Sequence, residues 1–219
     1  MCALAVCGSA QAEVTTYDFT ASVSTLVKWP TGPSQNSFEG QFVGSTVTVG
    51  DTLVGTIFID TAMTLRDDDG VVSQYWDLNS PTRFEYTLLS TGQKFSTKNI
   101  FNLNVFNNHP EDGQPGSYDL LSMLSSDVGG LHGVVLSDDS ATIFDSTRIP
   151  GHLSLYDFDH AEIITGYERA SDGAVIYMTA NITALNYVPA VPEPSTYLMM
   201  MAGLAVVGAG VRRRRSRRG

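Results

Sequence analysis

The sequence predicts an all-β protein, an antiparallel β-sandwich of jelly-roll type, followed by a single C-terminal transmembrane helix. Three observations lead there. Short runs rich in Val, Ile, Thr, Tyr and Phe recur along residues 13–188, separated by Gly-, Pro- and Asp-containing turns. No long amphipathic helical pattern with caps interrupts them. One uncharged apolar run, residues 197–211, stands apart near the end of the chain, followed directly by arginines. The chain therefore divides into a secretory segment (1–12), a β-rich ectodomain (13–188) and a terminal segment (189–219).

The first element is the secretory segment. Ala10 and Ala12 frame a small-x-small cleavage pattern, with cutting expected before Glu13. The apolar stretch before it is short and has no basic flank, so it reads as the end of a signal peptide that starts upstream of Met1. A lipoprotein signal at Leu4-Ala5-Val6-Cys7 is the alternative, and Val6 is bulky for it. Both cysteines, Cys2 and Cys7, fall inside the removed segment. The mature body then forms no disulfide and no thiolate metal site, and its stability rests on a hydrophobic core.

In the body, residues 14–28 predict the first strand, with Tyr17, Phe19, Ala21 and Val23 on one face. Residues 47–60 read as two strands about a Gly50-Asp51 turn. Further strands are expected over 84–89, 101–106, 132–136 and 174–187; residues 118–124 suit either a strand or a helical turn. Large side chains occupy both faces of 174–187, as in a central strand buried on both sides or a strand that leaves one sheet for another.

The body carries seven Lys/Arg against 22 Asp/Glu between Glu13 and Ala190, a net of −15; six Arg against Glu193 give the rest +5, restoring the overall −10. An acidic body disfavours nucleic acid and anionic lipid and is compatible with neutral or cationic glycans. Asp67 and Asp69 in Asp67-Asp68-Asp69-Gly70 offer the one metal reading, a calcium loop. The EF-hand pattern fails, because with Gly70 at the sixth position the first is Leu65 and the twelfth Trp76. A solvated acidic turn is the default, and no cofactor is required. Trp29, Tyr75 and Trp76 could form a sugar-stacking platform, although aromatics more often fill cores. A strand through residues 156–160 would put Asp157 and Asp159 on one face, the spacing a retaining glycosidase uses; paired strand carboxylates are more often a wet face. The histidines show no zinc spacing, and neither a nucleophile elbow nor a phosphate loop is present. No catalytic residue is assigned.

The terminal segment has its own physics. Pro192 and Pro194 remove backbone donors and hold Val191-Pro192-Glu193-Pro194 extended. The 15 residues 197–211 would span about 22 Å as a helix against a hydrocarbon core of about 30 Å, with arginine snorkelling covering part of the difference. Arg212, Arg213, Arg214, Arg215, Arg217 and Arg218 stop transfer and keep that end cytoplasmic. A core helix with a basic tip, or a nucleic-acid-binding tail, fits the apolar run and the acidic body less well.

This order of Pro-Glu-Pro, short hydrophobic helix and basic cluster resembles the PEP-CTERM sorting signal of Gram-negative bacteria. The resemblance implies recognition by an exosortase, a membrane-embedded cysteine protease/transpeptidase that removes the tail after export. It also implies a place in exopolysaccharide and biofilm matrix. Residues 49–61 and 149–159 are similar to strand segments of secreted PEP-CTERM proteins, at low specificity. The expected function is that of a transiently membrane-anchored protein, finally at the outer surface or in the extracellular matrix, with no catalysis of its own. A carbohydrate-binding module, calcium-dependent or not, for exopolysaccharide or surface glycan is the alternative, and an exopolysaccharide hydrolase the distant one. Nucleic acid is not an expected partner.

Overall fold

The computed structural model describes residues 14–29, 37–40, 45–97, 102–110, 117–127, 130–168 and 175–189. The chain falls into two units, Met1–Val188 and Pro189–Gly219, and every described strand lies in the first. In chain order these are β1 (Val14–Trp29), β2 (Ser37–Gly40), β3 (Ser45–Thr48), β4 (Thr52–Asp60), β5 (Leu65–Asp68), β6 (Val72–Tyr75), β7 (Arg83–Leu88), β8 (Gln93–Ser96), β9 (Asn102–Pro110), β10 (Ser117–Asp127), β11 (Gly130–Asp138), β12 (His160–Glu168) and β13 (Val175–Val188). A 3-10 turn, η1 (Leu155–Asp157), precedes β12.

The fold is all-β and antiparallel, as the alternation predicts, but the ladder is continuous. Eleven strands form one sheet in the order β5-β6-β9-β10-β11-β12-β13-β1-β4-β7-β8, and β2-β3 form a separate pair. The expected two-sheet sandwich is thus replaced by one curled sheet. Its β7–β8 end lies over the β11–β12 face. The Tyr86 hydroxyl on β7 meets Thr165 Oγ1 on β12 at 3.5 Å, and the Phe95 ring on β8 sits 4.4 Å from the His132 ring on β11. Between these layers lie Phe19, Leu26, Leu53, Ile57, Phe84, Leu88, Met123, Val134, Leu136 and Ile163, all buried.

Curling without breaking depends on β1 and β13. They pair from Thr16↔Val188 to Trp29↔Val175 with two register shifts. The first leaves Thr183 unmatched between Ile182 and Ala184, and the second leaves Ser24 unmatched between Val23 and Thr25. Each extra residue closes its bulge with its own hydroxyl: Thr183 Oγ1 donates to the Thr20 carbonyl (3.2 Å) and Ser24 Oγ to the Thr179 carbonyl (3.1 Å). A bulge bends its strand and reverses the parity of the residues beyond it. On β1 the inward residues are Tyr17, Phe19, Ala21 and Val23, then Leu26; on β13 they are Met178, Ala180 and Ile182, then Leu185 and Tyr187. This explains the large residues on both faces of the last strand's sequence: the strand turns over at Thr183.

The apolar segment 197–211 lies outside the described residues, and among the described residues no helix is long and apolar enough to cross a membrane.

Candidate functional site

A cleft of about 400 Å3 lies between residues 152–156 and the far end of β13. Its floor follows from the ladder. β12 pairs with β13 only as far as Glu162↔Asn181, whereas β1 continues to pair with β13 up to Val188. Among the described residues, β13 past the Thr183 bulge therefore has a strand on one side only. Residues 152–156, which run into η1, line the cleft opposite this stretch, and η1 packs against β13.

Buried carboxylates anchor the loop 139–159. Asp119, fully buried on β10, accepts N–H bonds from Asn108 (2.8 Å), Ile143 (2.9 Å) and Phe144 (2.8 Å). Asp138, opposite it on β11, accepts the N–H groups of Ser140 (3.1 Å) and Thr142 (2.9 Å) and the Ser140 hydroxyl (2.7 Å). Burial pushes the Asp138 carboxyl up, but these donors, with Asp159 adding to them, more than offset it and hold it below the ordinary carboxylate range. Asp159 accepts the Asp139 N–H at 3.1 Å, and His160 Nε2 lies 3.4 Å from Asp139 Oδ2 at the surface. At the loop's far end the Leu153 N–H donates to the hydroxyl of buried Tyr17 at 2.9 Å. Burial raises the Tyr17 phenol, and that N–H partly offsets the rise.

The loop thus sets His152 among tyrosines. Its ring is 5.8 Å from Tyr187 and 6.5 Å from Tyr17, and Tyr17 and Tyr187 meet edge-on at 5.9 Å. Tyr187 is 46% exposed and Tyr156, on η1, is 100% exposed. The cleft therefore joins exposed aromatic faces with the polar groups of Ser154 and Asn186.

The residues singled out by sequence lie elsewhere. Tyr75 is buried, and its hydroxyl donates to the Thr147 carbonyl at 3.0 Å; its ring faces are in the core. Trp76 is 40% exposed and carries the Arg66 guanidinium 4.6 Å over its ring. Trp29 ends β1, and its side chain is outside the described residues. Asp67-Asp68-Asp69-Gly70 forms the β5–β6 turn, with Gly70 at φ +86°. The Asp67 carboxylate accepts the Asp68 N–H at 3.0 Å. Asp69 Oδ1 accepts from the Val71 (2.9 Å) and Val72 (2.7 Å) N–H groups, and Asp68 Oδ1 from the Gly70 N–H (2.9 Å). The Val72 and Val71 donors hold Asp69 below the ordinary carboxylate range, as the Gly70 N–H does Asp68. Among the described residues no group of three His, Cys, Asp or Glu side chains is placed to hold a metal ion. The same-face pairing expected of Asp157 and Asp159 is corrected: it requires a strand, and Leu155–Asp157 is a 3-10 turn instead.

Ala10, Ala12, Val191, Pro192, Glu193, Pro194 and the six arginines lie outside the described residues, and for the last segment the comparison with known families is decisive. The PEP-CTERM protein-sorting motif matches residues 190–215. No curated protein and no solved structure matches the chain. The motif is an exosortase-dependent sorting signal, implying processing by that enzyme and export towards the surface or the extracellular space. The chain thus carries, on the residues whose Pro-Glu-Pro, apolar run and arginines resemble it, the sorting motif that marks PEP-CTERM proteins.

Proposed function

We propose that the chain is a non-catalytic component of the cell surface or extracellular matrix, delivered there by removal of its C-terminal tail. The sorting motif at residues 190–215 carries this reading. The body supports it. Its buried carboxylates Asp119 and Asp138 are engaged by backbone donors of one loop, a stabilising use rather than a catalytic one. The Asp67–Asp69 turn holds itself through Asp–backbone bonds, which supports a reading without calcium. The acidic charge of the body favours solubility once the basic tail is gone.

A second reading, glycan binding by the body, is favoured by the aromatic cleft between η1 and β13. Under both readings exopolysaccharide or a surface glycan is the expected neighbour, and the exosortase the processing partner.

The test is to replace Pro192, Glu193 and Pro194 with alanine in the native host and fractionate the cells. The variant is expected to remain in the inner membrane, with the wild type at the surface or in the medium. Equal release of the two would remove the sorting claim.

A further inference from the structure

We propose that the cleft between η1 and the one-sided end of β13 is a saccharide-binding site, taking a short stretch of a neutral polysaccharide. The inference rests on the glycan-binding reading above and assigns it to residues. The shape comes from two independent accidents of topology. β12 stops pairing at Asn181 and the Thr183 bulge follows, so Tyr187, which faces Tyr17, stays 46% exposed beside a flank that no described strand pairs with. The loop anchored by Asp119, Asp138 and Tyr17 then brings His152, Ser154 and Tyr156 to the opposite wall.

The chemistry selects the ligand class. A pyranose ring has an apolar face of C–H groups and a rim of hydroxyls; it is held by flat aromatic faces with a few polar groups at their edges. Tyr156 is wholly exposed and Tyr187 nearly half exposed, so both rings are available to a ligand. Asn186 and Ser154 supply both donors and acceptors beside them. The volume, about 400 Å3, is within the usual range of small-molecule sites. The body's net −15 works against a polyanion. A peptide strand adding to the flank of β13 is the competing occupant; η1 packs against that strand and Tyr156 lines the same cleft, which suits a ligand of stacked rings better than a continuous backbone ladder.

The test is affinity electrophoresis of the full-length chain in mild detergent, through native gels containing hydroxyethylcellulose, galactomannan, xylan or, as a polyanion, alginate. Retardation is expected in at least one neutral gel and not in alginate. Tyr156→Ala removes a side chain that contributes nothing to the core, and is expected to weaken that retardation about tenfold, one aromatic contact's worth; Tyr156→Trp is expected to restore it. Retardation that is unchanged in Tyr156→Ala leaves the body a glycan binder but overturns this cleft as the site. Absence of retardation in every neutral gel, the outcome expected if the flank of β13 docks a peptide, overturns the glycan-binding reading and the site together.

Discussion

At the scale of single residues, this protein spends its buried carboxylates on loops. Asp119 and Asp138 are a cross-strand pair at the end of β10 and β11, and each collects N–H groups from the loop that follows β11. At Asp138 these donors stabilise the ionised form and hold the carboxyl below the ordinary range. The linkage sign follows. Asp138 contributes stability at pH values above its unfolded pKa of about 4, and that contribution is lost as the pH falls through its lower native value. Asp138→Asn places an amide N–H against the Thr142 N–H and should cost about 1–3 kcal/mol at pH 7. The cost should shrink as the pH falls from about 4, where the unfolded carboxyl begins to take up its proton, through the lower native value. Urea midpoints of both proteins between pH 2.5 and 7 check this; a gap that stays constant across the range would contradict it. None of this was legible in the sequence. An aspartate at a strand end looks the same whether it is wet or buried, and the donors that distinguish Asp119 come from residues 108, 143 and 144.

At the scale of elements, three strand glycines share one arrangement. Gly55 on β4 lies opposite Phe19, Gly133 on β11 opposite Leu124, and Gly166 on β12 opposite Tyr177. In each pair the large side chain lies over the glycine, so that a Cβ would come within 2.7 Å of it. The pair works as one unit: the ring or branch fills the space that the glycine leaves. The surroundings then decide the cost of filling that space. At Gly55 the added carbon meets both the Phe19 ring, which is 3% exposed, and the Glu85 carbonyl oxygen, neither of which can move away. At Gly166 its nearest contacts are all with the half-buried Tyr177 side chain and none is with backbone. Gly55→Ala is expected to cost about 2 kcal/mol or more, and Gly166→Ala about 1 kcal/mol or less. Thermal or urea unfolding of the two variants checks the order; equal costs would contradict the account.

Legibility at this scale followed burial only in part. The alternation in residues 14–28 gave β1 and its inward face, and the Gly50-Asp51 turn between β3 and β4 was also readable; Gly50 has φ +94°. β10, left open between strand and helical turn, is a strand. β5 and β8 were not read, because their residues are mostly exposed and leave no periodic trace. β12 was missed although Ala161, Ile163 and Thr165 alternate inward; Glu162, Gly166 and Glu168 diluted the signal. The bulges at Ser24 and Thr183 were visible only as a strand that is apolar on both faces. What that meant, one curled sheet in place of two facing ones, depends on register, which a single strand's sequence does not contain.

At the scale of the whole molecule, the two ends of the chain differ in kind. The terminal signal is linear: its three parts are read in sequence order without tertiary contact, so its pattern is legible in the sequence, and the family motif matches residues 190–215 of it. The cleft is the opposite case. It joins residues 152–156 to residues 183–187 through a bulge and the early end of a neighbouring strand, and sequence reasoning looked for aromatics at Trp29, Tyr75 and Trp76 instead. Proximity in sequence made Tyr75 and Trp76 look like partners, yet consecutive residues leave a strand in opposite directions, and one of the two is in the core. Charge ties the ends together: the body holds net −15 and the tail +5, so processing would leave the exported molecule more acidic than the translated one.

The most direct measurement is the C-terminal boundary of the protein recovered outside the cell, by intact mass and peptide mapping. The account predicts a chain that ends at the Val191-Pro192-Glu193-Pro194 segment or shortly after it, with no peptide from residues 197–219. Recovery of the exported protein with Arg217 and Arg218 still attached would contradict it.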